Sequence, residues 1–563
     1  MDRHFGYGWK VNGHGGTHAI DAAVASGVAH LFTLSGAHVF PLYDAAVGGK
    51  ESVLAADSVR AAERDGLLRL IDVRHEQTAV FAAEAMGKLS RTPGFAALTA
   101  GPGVTNGISA ITGAYFNGSP LVVLGGRAPD TRWGSGALQE LDQPPMVANV
   151  TKRAFTIHDP SLIRANVQEA FDLARAPHRG PVFVDIPMDI LFSWADVPAP
   201  KSTTWQQVAP DPDLITQAAT QVSKSRHPVV IIGGDIWQGD AVEQAQEFIR
   251  GLGLPAIANG MGRGILPPAD PHLVTRARSH AFAHCDLVIV IGTPLDFRLG
   301  YGSFGDPPAA VLHLVDAVSQ VSSHAPSALT IVGDLGLSMD AIKSAVPPTD
   351  FAAWCTQLRD LSRAAIAKDD DLFTNNSSPI HPARIYGDLL PRLTPDSVVI
   401  GDGGDFVSFA GKFVEPTQPG RWLDPGPYGC LGTGPGYAMA ARLANPSSPT
   451  FLLMGDGAAG FSIMDMESLV RHQLPVAIII GNNQGWALEK QPMRFLYGYD
   501  VIADLPAARY DTIMQALGGD GELVTEAQGI GPALDRAMNS KLPYVVNIMT
   551  DPEASYPRST TGI

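Results

Sequence analysis

The chain has 563 residues, of which 45% are hydrophobic and 17% charged, and its formal net charge is -16. This length exceeds what one hydrophobic core organises and predicts about three domains. The acidic charge argues against a nucleic-acid partner, and no run reaches the roughly eighteen apolar residues typical of a membrane span. The three cysteines are far apart without metal-ligand spacing, so we expect reduced thiols in a cytoplasmic protein.

Short apolar strands alternate with helical stretches along the chain, which is the pattern of doubly wound parallel α/β domains. The strand candidates are residues 30–36, 95–103, 120–126, 181–187, 228–235, 286–294, 311–316, 329–334, 397–405, 450–457, 475–483 and 543–551. Polar, proline-bearing stretches at 197–213 and 367–382 separate them into three series and are typical of linkers. We therefore predict three domains, at 1–196, 214–366 and 383–563.

Two polar turns follow apolar strands of the third series. Asp456 lies in a Gly-Asp-Gly turn after the apolar run 451–454, and Asn483 ends an Asn-Asn turn after the apolar run 476–480. Ligands of an open parallel sheet bind beyond the carboxyl ends of its strands, and a glycine-rich turn entering a helix offers N–H groups to phosphate. A carboxylate beside an amide oxygen suits Mg²⁺. The pair predicts a diphosphate site with a bridging metal, whereas either turn alone is also typical of a plain tight turn.

This block, with the pattern of nearly the whole chain, resembles thiamine diphosphate (ThDP) enzymes of the acetolactate synthase, pyruvate decarboxylase and 2-hydroxyacyl-CoA lyase superfamily. The resemblance implies a pyrimidine-binding, a central nucleotide-binding-like and a diphosphate-binding domain, in chain order. It implies that Asp456, the side chain of Asn483 and the carbonyl of Gly485 hold Mg²⁺. The residues implied to contact the phosphates are Gly404, Asp405, Phe406, Gly455, Gly457 and Ala458.

A second matching stretch places Glu76 in a His-Glu-Gln sequence before an alanine-rich helix. A carboxylate there is commonly just a partner of the helix N-terminus. By the resemblance, Glu76 is the activating residue, which shares a proton with the cofactor pyrimidine so that the reactive carbon can lose its own. In these enzymes that glutamate and the Gly-Asp-Gly block come from different subunits. The resemblance therefore implies a homodimer or homotetramer with active sites at the dimer interface.

Two glycine-containing turns supply the other expected cofactor contacts. In residues 428–439, Gly429 and Leu431 are expected to hold the aminopyrimidine, with Leu431 standing where acetolactate synthases usually carry Met. In the loop 99–106, Gly101 and Asn106 are expected to line the pyrimidine from the other subunit. Glycines in such turns also allow close helix–strand packing without any ligand.

The residues expected above the reacting carbon leave the reaction open. Glu489, with Leu488 beside it, lies in a segment similar to that of pyruvate decarboxylases, where the glutamate faces the reacting carbon. Burial against Trp486 and Leu488 would raise its pKa and suit it to proton transfer. The ordinary alternative is a solvated carboxylate paired with Lys490 or Arg494.

The first domain offers two further substrate candidates. His38 aligns with the loop that overhangs the thiazolium, although a lone histidine after a strand is more commonly structural. Gln139 lies in the segment 136–152, which is similar to acetolactate synthases. Against that family, Gln491 and Pro492 stand where acetolactate synthases carry a Trp–Glu pair.

The central segment 260–292 resembles 2-hydroxyacyl-CoA lyases and oxalyl-CoA decarboxylases, which bind ADP or the CoA nucleotide there, whereas acetolactate synthases place FAD in this domain. Arg263, Arg276 and Arg278 are candidates for phosphate contacts, or ordinary surface arginines. We expect a 2-hydroxyacyl-CoA lyase that forms formyl-CoA and an aldehyde or ketone, or runs the reverse condensation. An acetolactate synthase-like carboligase acting on pyruvate is the alternative.

Overall fold

The computed structural model describes residues 10–48, 67–198, 207–325 and 328–557. Within these residues the strands form three parallel sheets and one antiparallel pair, with helices between them. This arrangement confirms the α/β class with three doubly wound sheets. Two compact units are present: one holds the N-terminal sheet with the later segments 425–446 and 462–474, and the other holds the two remaining sheets.

The strands of the N-terminal unit in the described residues are β1 Lys10–His14, β2 His30–Thr33, β3 Arg69–Asp72, β4 Gly94–Leu98, β5 Leu121–Arg127, β6 Arg153–Thr156, β7 Pro181–Pro187 and β8 Trp194–Pro198. β1 pairs with β8, and the others form a parallel sheet in the order β3-β2-β4-β5-β7-β6. β5 and β7 are buried at every residue because helices cover both faces. The helices are Gly15–Ala25, Phe40–Ala46, Glu76–Ser90, Pro102–Phe116, Pro144–Val147, Ile163–Arg175 and Met188–Phe192.

The central sheet has the order β10-β9-β11-β12-β13. Its strands are β9 Pro228–Ile232, β10 Ala256–Ala258, β11 Leu287–Ile291, β12 Ala310–Val315 and β13 Leu329–Val332. The helices of this part are Pro212–Lys224, Gly234–Gln238, Val242–Leu252, Arg278–His284, Leu335–Ala345, Ala352–Ala367 and Asp370–Phe373. Apolar side chains of β9, β11 and β12 form the centre of two core clusters, one on each face of the sheet.

The C-terminal sheet has the order β15-β14-β16-β17-β19-β18. Its strands are β14 Val398–Asp402, β15 Trp422–Leu423, β16 Thr450–Gly455, β17 Ala477–Asn482, β18 Asp520–Val524 and β19 Tyr544–Met549. The helices of residues 383–539 are Ala383–Leu389, Asp405–Phe413, Gly434–Ala444, Asp456–Ser462, Met466–Arg471, Ala487–Tyr497, Tyr510–Ala516 and Ile530–Asn539. The strand order reverses between β14 and β16, and loops at such a switch point form a ligand crevice.

Helix Glu76–Ser90 of the N-terminal unit packs closely on helix Gly434–Ala444. The rings of Phe81 and Tyr437 meet edge to face at 6.1 Å. The Tyr437 hydroxyl donates to the buried carboxylate of Glu84 at 3.0 Å. A later segment of the chain is thus built into the core beneath the helix that begins at Glu76.

The twelve strands expected from apolar runs are present, with bounds shifted by a few residues. The additional strands are either very short, as in β10 and β15, or half-exposed at a sheet edge, as in β6 and β18. The predicted linker at 367–382 contains the short helix Asp370–Phe373. Residues 199–206 of the linker predicted at 197–213 lie outside the described residues. None of the described helices is both long and apolar enough to cross a membrane.

Candidate functional site

Two glycine-rich loops lie side by side at the carboxyl ends of β14 and β16. The strands are neighbours, with Asp402 paired to Met454, and each leads within a few residues into a helix, Asp405–Phe413 or Asp456–Ser462. The first N–H groups of a helix have no acceptor within it. Gly455 has open space where a side chain would stand. Two helix N-termini at adjacent strand ends are suited to two linked phosphate groups.

Asp456 is the charged group of this region. Its side chain is only 3% exposed, and in the part of the chain that the structure describes it forms no ion pair. Burial raises its pKa to about 6, against the opposing effect of the Gly457 and Gly485 backbone N–H groups. Its backbone carbonyl accepts a hydrogen bond of 2.9 Å from the Tyr510 hydroxyl. The loop therefore holds a buried carboxylate in place and leaves its charge without a cationic side chain.

A second oxygen converges with that carboxylate. The Gly485 N–H donates both to Asp456 Oδ2 at 3.2 Å and to Asn483 Oδ1 at 3.3 Å. Asn482 is different, because it is fully buried and donates to Asn547 Oδ1 at 3.1 Å. Within the Asn-Asn turn, the first residue stabilises the sheet and the second faces the carboxylate.

An open cavity of about 390 Å³ lies against Asp456. Trp486 forms a wall of it, and a Cβ on Gly457 would lie 2.4 Å from the Trp486 ring. A Cβ on Gly404 would similarly lie 2.3 Å from Leu488 Cδ1. At both positions glycine allows a neighbouring side chain to lie close to the backbone. The residues lining the cavity are Asp456, Gly457, Gly460, Phe461, Trp486, Leu505, Pro506 and Tyr510. The sequence predicted neither Trp486 nor Tyr510 as a site residue, since only the tertiary fold brings them here.

The other residues predicted for phosphate contact use their side chains in the core. Phe406 is buried, its ring centroid lies 5.5 Å from that of Tyr386, and its carbonyl accepts from the Tyr386 hydroxyl. Asp405 is buried and accepts from the Tyr556 N–H at 2.8 Å. Ala458 is 2% exposed. These three residues can therefore serve a ligand only through backbone groups.

Glu489 is exposed in the structure, so its expected burial against Trp486 and Leu488 is wrong for this chain. The helix turns its carboxylate outward while Lys490 is buried. Lys490 bonds Asp504 at 2.9 Å, and Arg494 pairs with Glu553 and Asp500. Both basic residues considered as its partners are thus engaged by other carboxylates.

In the N-terminal unit, two predicted residues come together at Glu76. Glu76 is 8% exposed and begins its helix, where a negative charge is favoured. Asn106 Nδ2 donates to Glu76 Oε2 at 3.0 Å. The preceding His75 caps the helix by accepting from the Gln77 N–H. One carboxylate oxygen is therefore oriented by an amide, and the other is left for a further partner.

The loop after β4 gathers the remaining N-terminal candidates. His38 is 6% exposed and its Nδ1 lies 3.1 Å from Thr99 Oγ1; burial lowers its pKa. A Cβ on Gly101 would lie 2.9 Å from Gln139 Cβ, so these two are also adjacent. The Gly101 N–H donates to Gln143 Oε1 at 2.9 Å. Gln143 is fully buried and was missed by the sequence analysis, in which nothing distinguished it from its neighbour Gln139.

Gly429 and Leu431 belong to the same unit as Glu76. Gly429 is exposed with a φ of 73°, a conformation that favours glycine. The Leu431 carbonyl accepts from Gln77 Nε2 at 3.5 Å. The turn predicted to hold the aminopyrimidine thus touches the residue that follows Glu76.

Two of the three central arginines are engaged within the protein. Arg263 donates to the carbonyls of Val414 and Gly411 at 3.0 and 2.6 Å. Arg276 pairs with Asp369, a carboxylate that is 4% exposed. A guanidinium group whose N–H groups already donate to protein acceptors has few donors available for a phosphate.

Arg278 is the exception. It donates to the Arg298 carbonyl and lies over the Phe282 ring at 4.7 Å. Burial lowers its pKa to about 10, and the nearby charges of Arg263 and Arg298 act in the same direction. Asp296, which pairs with Arg298, acts in the opposite direction.

Three models of the thiamine pyrophosphate enzyme family match the chain. The N-terminal TPP binding domain matches residues 14–146, the central domain 215–342 and the C-terminal TPP binding domain 402–548. The chain belongs to the thiamine pyrophosphate enzyme family. Thiamine pyrophosphate is another name for ThDP, so the protein is a ThDP-dependent enzyme of carbon–carbon bond cleavage or formation, as the sequence predicted.

Relatives with two kinds of name are similar to this ThDP enzyme over most of their length. A "Probable acetolactate synthase" of Mycobacterium bovis and the "Acetolactate synthase large subunit IlvG" of Mycobacterium tuberculosis are each 43% identical over 547 residues, covering 95% of both chains. The "2-hydroxyacyl-CoA lyase 2" of Caenorhabditis elegans is 31% identical over 585 residues, covering 94% of this chain and 88% of the relative.

The residues of this ThDP enzyme fit its cofactor and a divalent cation. Asp456 is a buried carboxylate whose charge no side chain neutralises in the described residues, and the Asn483 oxygen lies beside it. Oxygen donors of this kind suit Mg²⁺, which also binds phosphate. The two helix N-termini supply N–H donors on the adjacent loops.

Replacing Asp456 by Asn should stabilise the cofactor-free protein while abolishing its response to Mg²⁺ and ThDP. Burial raises the pKa of Asp456 from 3.8 to about 6. The folded protein therefore gains stability from this carboxyl group at pH values below 3.8, where the group is protonated in both the folded and the unfolded state. That stability is lost as the pH rises through about 6, because the buried group must then carry a charge. The isosteric amide avoids that loss, which amounts to about 3 kcal/mol near neutral pH.

Thermal unfolding of both apo proteins, followed by calorimetry, measures this difference. The advantage of Asp456→Asn should be largest near about pH 7.5 and shrink toward about pH 4, where the wild-type carboxyl is protonated. Mg²⁺ with ThDP should raise the melting temperature of the wild type alone. A variant less stable than the wild type at neutral pH would contradict this account of Asp456.

Gly457→Ala should weaken ThDP binding by at least about tenfold, because the new Cβ displaces the Trp486 ring beside the phosphate loop. Gly460→Ala is the matched control: it lies on the same cavity, and its Cβ meets nothing within 4 Å. Titration of apo protein with ThDP, followed by tryptophan fluorescence, gives both affinities. Equal affinities for the two variants would exclude this packing constraint.

Proposed function

We propose that the protein is a ThDP-dependent carboligase of the acetolactate synthase type. Such an enzyme releases CO₂ from one 2-keto acid and joins the remaining acyl fragment to the carbonyl of a second, so that two pyruvates give acetolactate. The relatives that are 43% identical over 95% of both chains support this reaction. The structural observation that favours it over CoA chemistry is the engagement of Arg263 and Arg276 by internal partners.

In this proposal the C-terminal loops hold the diphosphate. Asp456, the Asn483 side chain and the Gly485 carbonyl would hold Mg²⁺, which would supply positive charge for the diphosphate. Backbone groups of Gly404, Asp405, Phe406, Gly455, Gly457 and Ala458 contact the phosphates. When bound, ThDP supplies a nucleophilic carbon that adds to a carbonyl group.

Glu76 holds the proton that the cofactor pyrimidine shares. Asn106 donates to one oxygen of its carboxyl group at 3.0 Å, so the other oxygen would be the one that meets the cofactor pyrimidine. Burial to 8% exposure keeps water away from this proton. Gly101 would line the ring from the subunit that supplies Glu76, and Gly429 and Leu431 of the other subunit would hold it through backbone groups.

Four residues are proposed to contact the substrates. The lowered pKa of His38 makes it a neutral imidazole near neutral pH, so it serves a carbonyl oxygen by hydrogen bonding rather than by charge. Gln139 lies beside Gly101 and offers an amide to the same region. Glu489 exchanges protons with the substrate oxygens, and its neighbour Leu488 lies against Gly404.

We further propose a cytoplasmic homodimer or homotetramer in which each active site combines Glu76 of one chain with the metal ligands of another. The exposed position of Glu489 and the open cavity at Asp456 are compatible with a site that a second chain completes. The cysteines at 285, 355 and 430 form no disulfide within the described residues. FAD is the central-domain ligand that accompanies this reaction in acetolactate synthases, by the resemblance of the sequence.

A 2-hydroxyacyl-CoA lyase is the second candidate, and Arg278 favours it. Its buried guanidinium donates to a backbone carbonyl and has two other arginines nearby. An ADP or CoA phosphate would offset that concentration of charge. The relatives named 2-hydroxyacyl-CoA lyase 2 also match most of this chain.

A direct assay separates the two candidates. Holoenzyme with ThDP and Mg²⁺ is given either pyruvate alone or formyl-CoA with acetone, and the products are identified by mass spectrometry. We expect acetolactate and CO₂ in equal amounts from pyruvate. A 2-hydroxyacyl-CoA product from the second mixture, without acetolactate from the first, would establish the lyase instead.

Glu76→Gln should keep ThDP bound but slow exchange of the C2 proton of the cofactor by at least about 10²-fold, since an amide cannot supply the shared proton. Exchange is measured by NMR after acid quench. Asn106→Ala, which only frees the orientation of Glu76, should slow it by about tenfold or less. Normal exchange in Glu76→Gln would remove Glu76 from the activating role.

A further inference from the structure

Asp465 accepts hydrogen bonds from both sides of Glu76, from the backbone N–H of Arg74 and from the side-chain hydroxyl of Thr78. It ends a short helix, Ile463–Asp465, between the Gly-Asp-Gly and Asn-Asn turns, and is 2% exposed. Its Oδ1 accepts from the Arg74 N–H at 2.7 Å, and its Oδ2 accepts from Thr78 Oγ1 at 2.7 Å. One carboxylate therefore spans the turn from two residues before Glu76 to two residues after it.

These hydrogen bonds offset the free-energy cost of burying the charge of Asp465. Burial raises the pKa of Asp465, whereas the Arg74 N–H and the Thr78 hydroxyl lower it, as does the nearby His75. A buried carboxylate is tolerated when such donors satisfy it, and charge-assisted hydrogen bonds are stronger than neutral ones. The contact is therefore specific to this turn rather than a general feature of helix packing.

The segment that follows Asp465 is tied to the end of β3 by independent contacts. Arg471 pairs with the Asp72 carboxylate, and His472 Nε2 lies 2.9 Å from the Asp72 carbonyl. Hydrogen bonding from His472, with the charge of Arg471, lowers the pKa of Asp72. These bonds fix Asp465 against the turn of Glu76, all within one compact unit.

We propose that Asp465 is a positioning residue for the activating carboxyl group of Glu76. It acts on the cofactor only through the turn 74–78, whose backbone sets the direction in which the Glu76 side chain leaves the helix. A misplacement of about 1 Å in a reacting group costs about 10²-fold in rate. This inference rests on the proposed role of Glu76 and adds the residue that holds it in place.

Asp465→Ala should slow C2 proton exchange of bound ThDP by about 10- to 100-fold, with kcat lowered and KM nearly unchanged. Asp465→Asn should stay within about fivefold of the wild type. Its oxygen can accept from the Arg74 N–H and its amide can donate to Thr78 Oγ1. Thr78→Val, which removes one of the two bonds at constant shape, should fall between them. An Asn variant as impaired as the Ala variant would overturn a positioning role.

A cofactor-free measurement tests the contact itself. In the apo protein, hydrogen–deuterium exchange of a peptide covering residues 72–80 should accelerate in Asp465→Ala, because the Arg74 N–H loses its acceptor. Asp270→Ala is the matched control for general loosening. That carboxylate is also buried and accepts from a backbone N–H, that of His272, but lies in the central part of the chain. Acceleration in both variants, or in neither, contradicts the proposal.

A double variant separates this inference from the proposed role of Glu76. If Asp465 acts through Glu76, Asp465→Ala should add no further loss of C2 exchange in a Glu76→Gln background. Multiplying losses would show that Asp465 acts by another route and would overturn the inference. Normal exchange in Glu76→Gln alone would refute the role of Glu76 itself, while faster deuterium exchange in Asp465→Ala would still establish the contact.

Discussion

The buried, uncompensated charge of Asp456 is the constraint on which the C-terminal site depends. A carboxylate taken out of water is costly unless hydrogen bonds or an opposite charge satisfy it. Here the chain supplies the N–H groups of Gly457 and Gly485, while the described residues supply no cation. The divalent ion proposed for this site would supply the missing positive charge. The Asn483 side chain accepts from the same Gly485 N–H, and Asp456 begins a helix whose N-terminus favours a negative charge. Both features meet the need to stabilise a buried carboxylate. The charge still lowers the stability of the apo protein.

Much of the fold could be predicted from local sequence patterns. The parts of the site that could not be predicted depend on contacts between residues far apart in the sequence. Buried strands such as β5 and β7 are continuous apolar runs, and the polar turns at strand ends marked Asp456 and Asn483. No local signal could show that Trp486 covers Gly457, since the two lie on different strand–helix connections. Edge strands such as β18 were missed because charged residues interrupt their pattern. The burial expected for Glu489 failed because helix orientation is set by tertiary packing.

The partners of the three central arginines bear on which of the two proposed reactions the protein catalyses. Arg263 and Arg276 satisfy carbonyls and a buried carboxylate, which makes them part of the scaffold around residues 411–414 and Asp369. Arg278 has no such carboxylate and carries a lowered pKa. One such guanidinium is enough for a single phosphate contact but offers little for a molecule with several phosphates. The balance therefore favours the proposed keto-acid carboligase over a reaction of CoA substrates.

The stretch between the Gly-Asp-Gly and Asn-Asn turns has two structural tasks. Its first part, with Asp456, belongs to the unit of the C-terminal sheet, and the part from Ser462 onward belongs to the unit of Glu76. Under the roles proposed above, one short segment would serve both metal ligation and control of the activating carboxyl group, through different residues with different hydrogen-bond partners. A substitution after Ser462 can loosen the Glu76 turn without touching a metal ligand. Sequence changes in this segment can therefore tune cofactor activation separately from cofactor affinity, because the two depend on different contacts.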